Sequence, residues 1–238
     1  RPMAPITFVL SHGLWHGGWC GARGADRLRA KGHRVTTPTL TGLGERSHLM
    51  GPDITMDTFV QDIVRHVEWE DLQDVTLVGH SFGGAPVTGA ADLVADRIAA
   101  LVYLDAIMLA DGESWFDLLP EDIVEDRTAQ ARSSSGGLSL PPAPPEAFGV
   151  THPDAVAFLQ PRLTPHPFAT LSTPVRLRNP IANGRPATYI HCSDPVYPPA
   201  NIAYERAKAL GWPVREIATG HDAMVTAPAA LAELLGGL

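Results

Sequence analysis

Apolar positions along the chain fall into two kinds of block that take turns. Short, β-branched runs read as buried strands: Ile6 to Leu10, Arg34-Val35-Thr36-Thr37 closed by Pro38, Val75-Thr76-Leu77-Val78, and Ile98 to Asp105. Longer stretches with helical spacing lie between them. Residues 18–31 place Arg and Lys on an outer face. Thr55 stands where an N-cap belongs, ahead of Phe59, Ile63, Val64 and Val67 on one helical face. The stretch from Gly83 to Val94 is a third helix. After a long interruption the alternation resumes with a strand at 188–192, a helix near 198–211, a strand at 213–217 and a closing helix at 228–235. Strand–helix alternation needs crossover connections, so the pattern predicts an α/β chain with a doubly wound, mostly parallel sheet.

The interruption runs from 107 to 186. Ser133-Ser134-Ser135-Gly136-Gly137 and Pro141-Pro142-Ala143-Pro144-Pro145 are loop sequences. The same segment holds Trp115, Phe116, Leu118, Leu119, Phe148, Phe158 and Leu163, and disordered linkers are poor in such residues. It therefore reads as an ordered insertion, a small cap over a pocket, rather than a mobile linker. The expected division is a core from 1–106 and 187–238 with the cap at 107–186.

Bulk properties narrow the partners. The chain has 238 residues, 45% hydrophobic and 18% charged, which suits one domain with an insertion. A net charge of −8 argues against nucleic acid and against an anionic membrane surface. No apolar run approaches the roughly 20 residues of a membrane span. Arg1-Pro2-Met3-Ala4-Pro5 carries no long apolar h-region, so no secretory leader is expected there. Two cysteines, Cys20 and Cys192, cannot build a disulfide framework, and a reducing, cytoplasmic setting fits. The expected partner is a small molecule, and a homodimer is compatible with this class.

The chemistry centres on Gly79-His80-Ser81-Phe82-Gly83, directly after the third strand. In G-x-S-x-G the serine occupies a sharp strand-to-helix turn, and glycines on both sides relieve the crowding of that turn. Ser81 is thus the candidate nucleophile. A serine needs a base, and the base an orienting acid, in chain order Ser, acid, His in the fold that carries this elbow. Four histidines follow Ser81: His152, His166, His191 and His221. The first two lie in the insertion and His191 lies within a strand. His221 follows the last strand in Thr219-Gly220-His221-Asp222, and is the expected base. Two carboxylates compete to orient it. Asp194 follows the strand ending at Ser193, the usual donor of the acid, and is favoured. Asp105, at the end of the fourth strand, is its rival, otherwise shaping the pocket floor. Asp222 is a weaker third. The oxyanion needs two backbone N–H donors: Phe82, after the nucleophile, and Leu14, in the loop after the first strand. His12 and His16 are spaced i, i+4, but without a third ligand or an H-E-x-x-H pattern they predict no metal site. They are expected to hydrogen-bond that loop into shape.

These motifs resemble a known group. His12-Gly13 with His16-Gly17-Gly18-Trp19, Pro38-Thr39-Leu40-Thr41-Gly42-Leu43-Gly44, Gly79 to Gly84, Leu104-Asp105-Ala106 and Gly220-His221 are together similar to α/β-hydrolases, specifically the small esterase and hydroxynitrile-lyase group that includes plant methyl-ester hydrolases. The resemblance covers both core portions and weakens in the cap. It implies a Ser-His-Asp triad and no cofactor. Lyases of the group carry threonine after the first-strand histidine and lysine after the catalytic histidine. Here these positions are Gly13 and Asp222. A carboxylate there would repel cyanide, so the resemblance favours a carboxylesterase. The rivals are a hydroxynitrile-lyase-type enzyme and a non-catalytic ligand-binding protein on the same fold. The expected substrate is a small to medium apolar or aromatic ester, met by Gly13, Trp15, Asp105, Trp115, Phe116, Leu118, Phe148 and Phe158, with acyl transfer to an alcohol as a side activity. One departure stands out. The family usually has an aromatic residue two positions after Trp19, where this chain has Gly21, and Gly24 follows in the same predicted helix. Either that helix starts late or the site has been opened by substitution.

Overall fold

The computed structural model describes residues 4–238; the stretch inspected for a leader starts in Arg1–Met3, outside the described residues. Its elements run β1 (Thr7–Ser11), α1 (Ala22–Ala30), β2 (Arg34–Thr36), α2 (Met56–Trp69), β3 (Val75–His80), α3 (Gly84–Leu93) and β4 (Ile98–Leu104). Then come α4 (Trp115–Leu118), α5 (Glu121–Ser135), β5 (Ser139–Leu140), α6 (Pro153–Leu159), β6 (His166–Pro167) and α7 (Ala169–Ser172). The chain closes with β7 (Ala187–Cys192), α8 (Asn201–Ala209), β8 (Val214–Ile217), α9 (Ala223–Thr226) and α10 (Pro228–Gly236).

Six strands form one sheet in the order β2-β1-β3-β4-β7-β8, every neighbouring pair parallel. From β1 the chain winds one way to β2 and the other way to β3, so the order reverses there. Open α/β sheets bind ligands at the carboxyl ends of strands beside such a reversal. The fold is the predicted doubly wound parallel sheet. A strand buried on both faces should be continuously apolar, and Phe8, Val9, Val75, Leu77, Leu101 and Val102 are all buried. Helix α2 begins at Thr55 in a reciprocal cap with Thr58 and buries Phe59, Ile63, Val64 and Val67, the stripe its spacing predicts.

The predicted helix at 18–31 divides. A 3-10 turn occupies Gly18–Gly21, and α1 starts only at Ala22. Gly21 therefore lies in the entry turn rather than in an α-helical interior, so of the two alternatives the helix starts late. The tight residue in this turn is Gly18, where a Cβ would lie 1.9 Å from the Thr37 carbonyl oxygen. Between β4 and β7 the chain forms short helices and a two-stranded antiparallel ribbon, β5 with β6. No helix among the described residues is long and apolar enough to cross a membrane.

Candidate active site

The ends of β1, β3 and β4 meet because the sheet register aligns them: Ser11 pairs with Gly79, and His80 with Leu104. Beyond β3 the backbone turns through Ser81 at φ 53°, a left-handed conformation that is uncommon for a side chain with a Cβ. The turn is possible because its neighbours are glycines. A Cβ on Gly79 would meet the Gly83 carbonyl oxygen at 2.8 Å, and one on Gly83 would meet the Ser11 and His12 carbonyls at 2.5 Å. The elbow read from the sequence thus has a steric cause in contacts across β1.

Ser81 Oγ lies 2.8 Å from His221 Nε2, and His221 Nδ1 lies 2.7 Å from Asp105 Oδ2. With Nδ1–H donating to the carboxylate, Nε2 is left with a lone pair for the serine proton. Asp105 is almost fully buried, and its Oδ1 accepts the Cys192 N–H at 3.1 Å. That second bond fixes the carboxylate plane from β7.

The favoured acid, Asp194, is not at this site. The chain after β7 folds back in a turn bridged from Ser193 to Val196, the Asp194 N–H donates to the Thr219 carbonyl, and the side chain is exposed. His221, arriving from the edge strand β8, reaches over the end of β7 to the end of β4. The rival Asp105 holds the position that the sequence reading gave to Asp194, and it also lines the cavity beside Ser81 and His221.

Gly13 presses on the elbow: a Cβ there would sit 2.8 Å from Ser81 Cβ and 3.4 Å from the Phe82 nitrogen. Leu14 lines the cavity beside Ser81 and Phe82. Two histidines shape the loop. His12 donates from Nδ1 to the Gly13 carbonyl and accepts the Leu40 N–H at Nε2, a pattern only a neutral ring can make. Burial lowers its pKa to about 4. His16 donates from Nδ1 to the Leu14 carbonyl and from Nε2 to Asp222 Oδ2, at 2.6 Å. Two donated bonds mean an imidazolium. Burial opposes that charge, but the Asp222 carboxylate and its hydrogen bond outweigh it, so the His16 pKa is raised. Burial likewise pushes Asp222 up, yet His16 and the nearby imidazoles hold it below the usual carboxylate range. The pair ties the loop of the expected oxyanion donor to the loop of the base.

Asp222 therefore faces away from the cavity with its charge balanced. Repulsion of cyanide by this carboxylate is not an argument against a lyase; the missing lysine is. His80, the variable residue of the elbow motif, donates from Nε2 to the His221 carbonyl at 2.7 Å and packs on its ring at 4.8 Å. Burial lowers the His80 pKa to about 3, so it too stays neutral. His80, His221 and Asp222 bring ligand-capable atoms within 4.8 Å of one another. Both His221 nitrogens are engaged, which leaves fewer than the three protein ligands of a catalytic zinc.

The cavity over Ser81 is small, about 260 Å³, with an adjoining lobe of about 220 Å³. Trp115 lines the first; Trp15 and Phe148, stacked at 5.6 Å, line the second. Trp15 Nε1 donates to the Leu140 carbonyl, which fixes the indole against the ribbon. The other aromatic candidates lie elsewhere. Phe116 packs on Phe168, and Leu118 against the core. Phe158 packs on Trp19 and carries the Arg23 and Arg162 guanidinium groups over its ring. A lining residue that the sequence reading passed over is Tyr197, whose ring lies 4.0 Å from His221. Its signal was an aromatic residue in a loop at a strand's carboxyl end, Pro195-Val196-Tyr197-Pro198-Pro199.

Known proteins resemble this chain in sequence and fold. The family model described as "Alpha/beta hydrolase family" matches residues 8–234. The carbendazim hydrolyzing esterase of Nocardioides sp. (strain SG-4G) is 40% identical over 98% of this chain and 99% of its own length. Methylesterase 7 of Arabidopsis thaliana is 27% identical over 96% of this chain and 94% of its own. Among solved structures, an extracellular alpha/beta-hydrolase from a Paenibacillus species, described as sharing structural and functional homology with tobacco salicylic acid binding protein 2, superposes with a TM-score of 0.84 at 27% identity, covering 97% of this chain and 98% of that one. The chain belongs to the alpha/beta hydrolase family.

Proposed function

We propose that this protein hydrolyses carboxylic esters through an acyl-enzyme on Ser81. The observation that carries the reading is the bonded series Ser81–His221–Asp105, at 2.8 and 2.7 Å. His221 takes the Ser81 proton as the oxygen attacks the ester carbonyl, and Asp105 steadies the imidazolium that forms. The N–H groups of Phe82 and Leu14 hold the developing oxyanion. His221 then returns the proton to the departing alcohol, and water, activated by the same base, releases the acid. The protein needs no cofactor for these steps. Esterases among the relatives support the same class.

The cavity size supports a small substrate, and Trp15, Trp115 and Phe148 support an apolar or aromatic one. Carbendazim is the first compound to test, because the relative at 40% identity is named for hydrolysing it. Apolar walls also favour an alcohol as acyl acceptor; formation of free acid alone in water with added alcohol removes that side activity. The hydrolase reading is tested with p-nitrophenyl acetate. Wild-type protein releases p-nitrophenol and Ser81→Ala does not. Full activity in Ser81→Ala overturns the mechanism.

A further inference from the structure

Asp105 and Ser81 take the two nitrogens of the His221 ring, at 2.7 and 2.8 Å. Those bonds lie at the ring's edge. What packs on its faces is a separate matter, and the nearest ring is that of Tyr197. Its centroid lies 4.0 Å from that of His221, with the planes tilted by 31°. The next ring, His80, lies at 4.8 Å. Tyr197 also lines both lobes of the cavity beside Ser81.

The loop after β7 is built to hold this ring in place. Ser193 and Val196 form an antiparallel bridge, and the Tyr197 carbonyl accepts the Ala200 N–H at 3.1 Å. Pro195 is wedged against two glycines. A Cβ on Gly149, in the cap, would meet Pro195 Cγ at 2.7 Å, and one on Gly220, beside the base, would meet Pro195 Cδ at 3.4 Å. Pro195, Pro198 and Pro199 restrict the backbone around Tyr197, so little freedom is lost in ordering it. Burial pushes the Tyr197 phenol up, which keeps it neutral with an electron-rich face.

We propose that Tyr197 is a positioning residue of the catalytic base: its ring holds the His221 imidazole in line with Ser81 and stabilises the imidazolium that forms as Ser81 attacks. The inference rests on the ester-hydrolase reading above. The new cation arises in a residue only 3% exposed, where water gives little help. His80 is neutral and supplies no counter-charge. An aromatic face attracts a cation, and more strongly when both are desolvated. The neutral imidazole gains less from the same face, so the contact favours the transition state and acts on kcat rather than on substrate binding.

The test compares wild-type protein, Tyr197→Phe and Tyr197→Leu on p-nitrophenyl acetate across pH. The other titratable or charged groups around the stack are Asp105, Asp222, His16, His80, His191 and Arg127, which hydrogen-bonds the Tyr197 side chain. All are retained in the variants. Tyr197→Leu should lower kcat about tenfold with KM little changed, the scale of one desolvated cation–π contact. The acid limb of its kcat/KM profile should move to lower pH by about one pH unit, because the base protonates less readily without the ring. Tyr197→Phe loses the bond to Arg127 but keeps the face, and should restore both kcat and the limb. Tyr197→Met, which fills similar space without a ring, repeats the comparison if Tyr197→Leu does not fold. A fall in kcat with an unmoved acid limb overturns the assignment, since loosened packing alone would do that. So does a rise in KM at constant kcat, or a Tyr197→Phe protein as impaired as Tyr197→Leu. If wild-type protein releases no p-nitrophenol, the hydrolase reading fails and this inference with it; if wild-type and Tyr197→Leu proteins are equally active, the inference alone fails.

Discussion

Replacing Asp105 by Asn keeps the size and shape of the side chain and removes its charge. In the native site the carboxylate accepts the His221 proton at Nδ1, 2.7 Å away, and the Cys192 N–H at 3.1 Å. An Asn amide can satisfy Cys192 with its oxygen, but then presents its NH2 to Nδ1. The imidazole must shift its proton to Nε2, where it faces Ser81 Oγ and cannot accept from it. Both residues are buried, so water does not restore the lost interaction. The corresponding change in serine proteases lowers kcat by about 10⁴, or roughly 5.5 kcal/mol of barrier. The assay is release of p-nitrophenol under saturating substrate, with thermal unfolding as a check on folding. Asp194→Asn, at an exposed side chain, is the matched control and should stay within about twofold, with stability changed by less than ~0.5 kcal/mol. The assignment is refuted if Asp194→Asn loses activity by orders of magnitude while Asp105→Asn keeps it.

Other outcomes follow from the same contacts. Gly13→Ala places a Cβ 2.8 Å from Ser81 Cβ, so either the loop or the nucleophile must move; kcat should fall on the order of 10², the scale of one lost oxyanion donor, and an unchanged kcat would show that the loop gives way freely. His16→Ala leaves Asp222 buried without its cation and should cost about 3–5 kcal/mol in urea unfolding; a loss below ~1 kcal/mol would mean the pair is not charged. The pair also has a pH signature. The His16 pKa is raised, so its contribution is full below the unfolded value near 6.5 and is lost as pH rises through the folded one, while the lowered Asp222 contributes above about 3.9 and is lost only in stronger acid. The wild-type advantage over His16→Ala should therefore be largest between about pH 4 and 6.5, and an advantage that grows above pH 8 contradicts this. His12 and His80 are held neutral with pKa values lowered to about 4 and about 3, so the unfolded chain binds their protons first. Unfolding free energy should drop by several kcal/mol from pH 7 to pH 4, roughly 3 for His12 alone, and a flat profile would exclude the neutral rings.

Features of this protein that depend on near neighbours were legible in the sequence. A parallel strand buried on both faces must be apolar throughout, and an amphipathic helix must repeat its apolar residues at 3.6, so Val75 to Val78 and the Phe59–Val67 stripe announced themselves. The Ser81 turn demands small flanking residues, and Gly79 and Gly83 supplied them. His221 was legible because it was the one downstream histidine in a loop after the last strand. The acid was not, since Asp105 and Asp194 both end strands and nothing local separates them. What decides is that His221, coming from the edge strand, spans β7, and that the turn after Ser193 carries the Asp194 carboxylate into solvent. Similarly, the His16–Asp222 pair joins residues 206 positions apart. Periodicity and steric need are written locally, whereas the pairing of buried charges is settled only when the sheet order brings distant strand ends together.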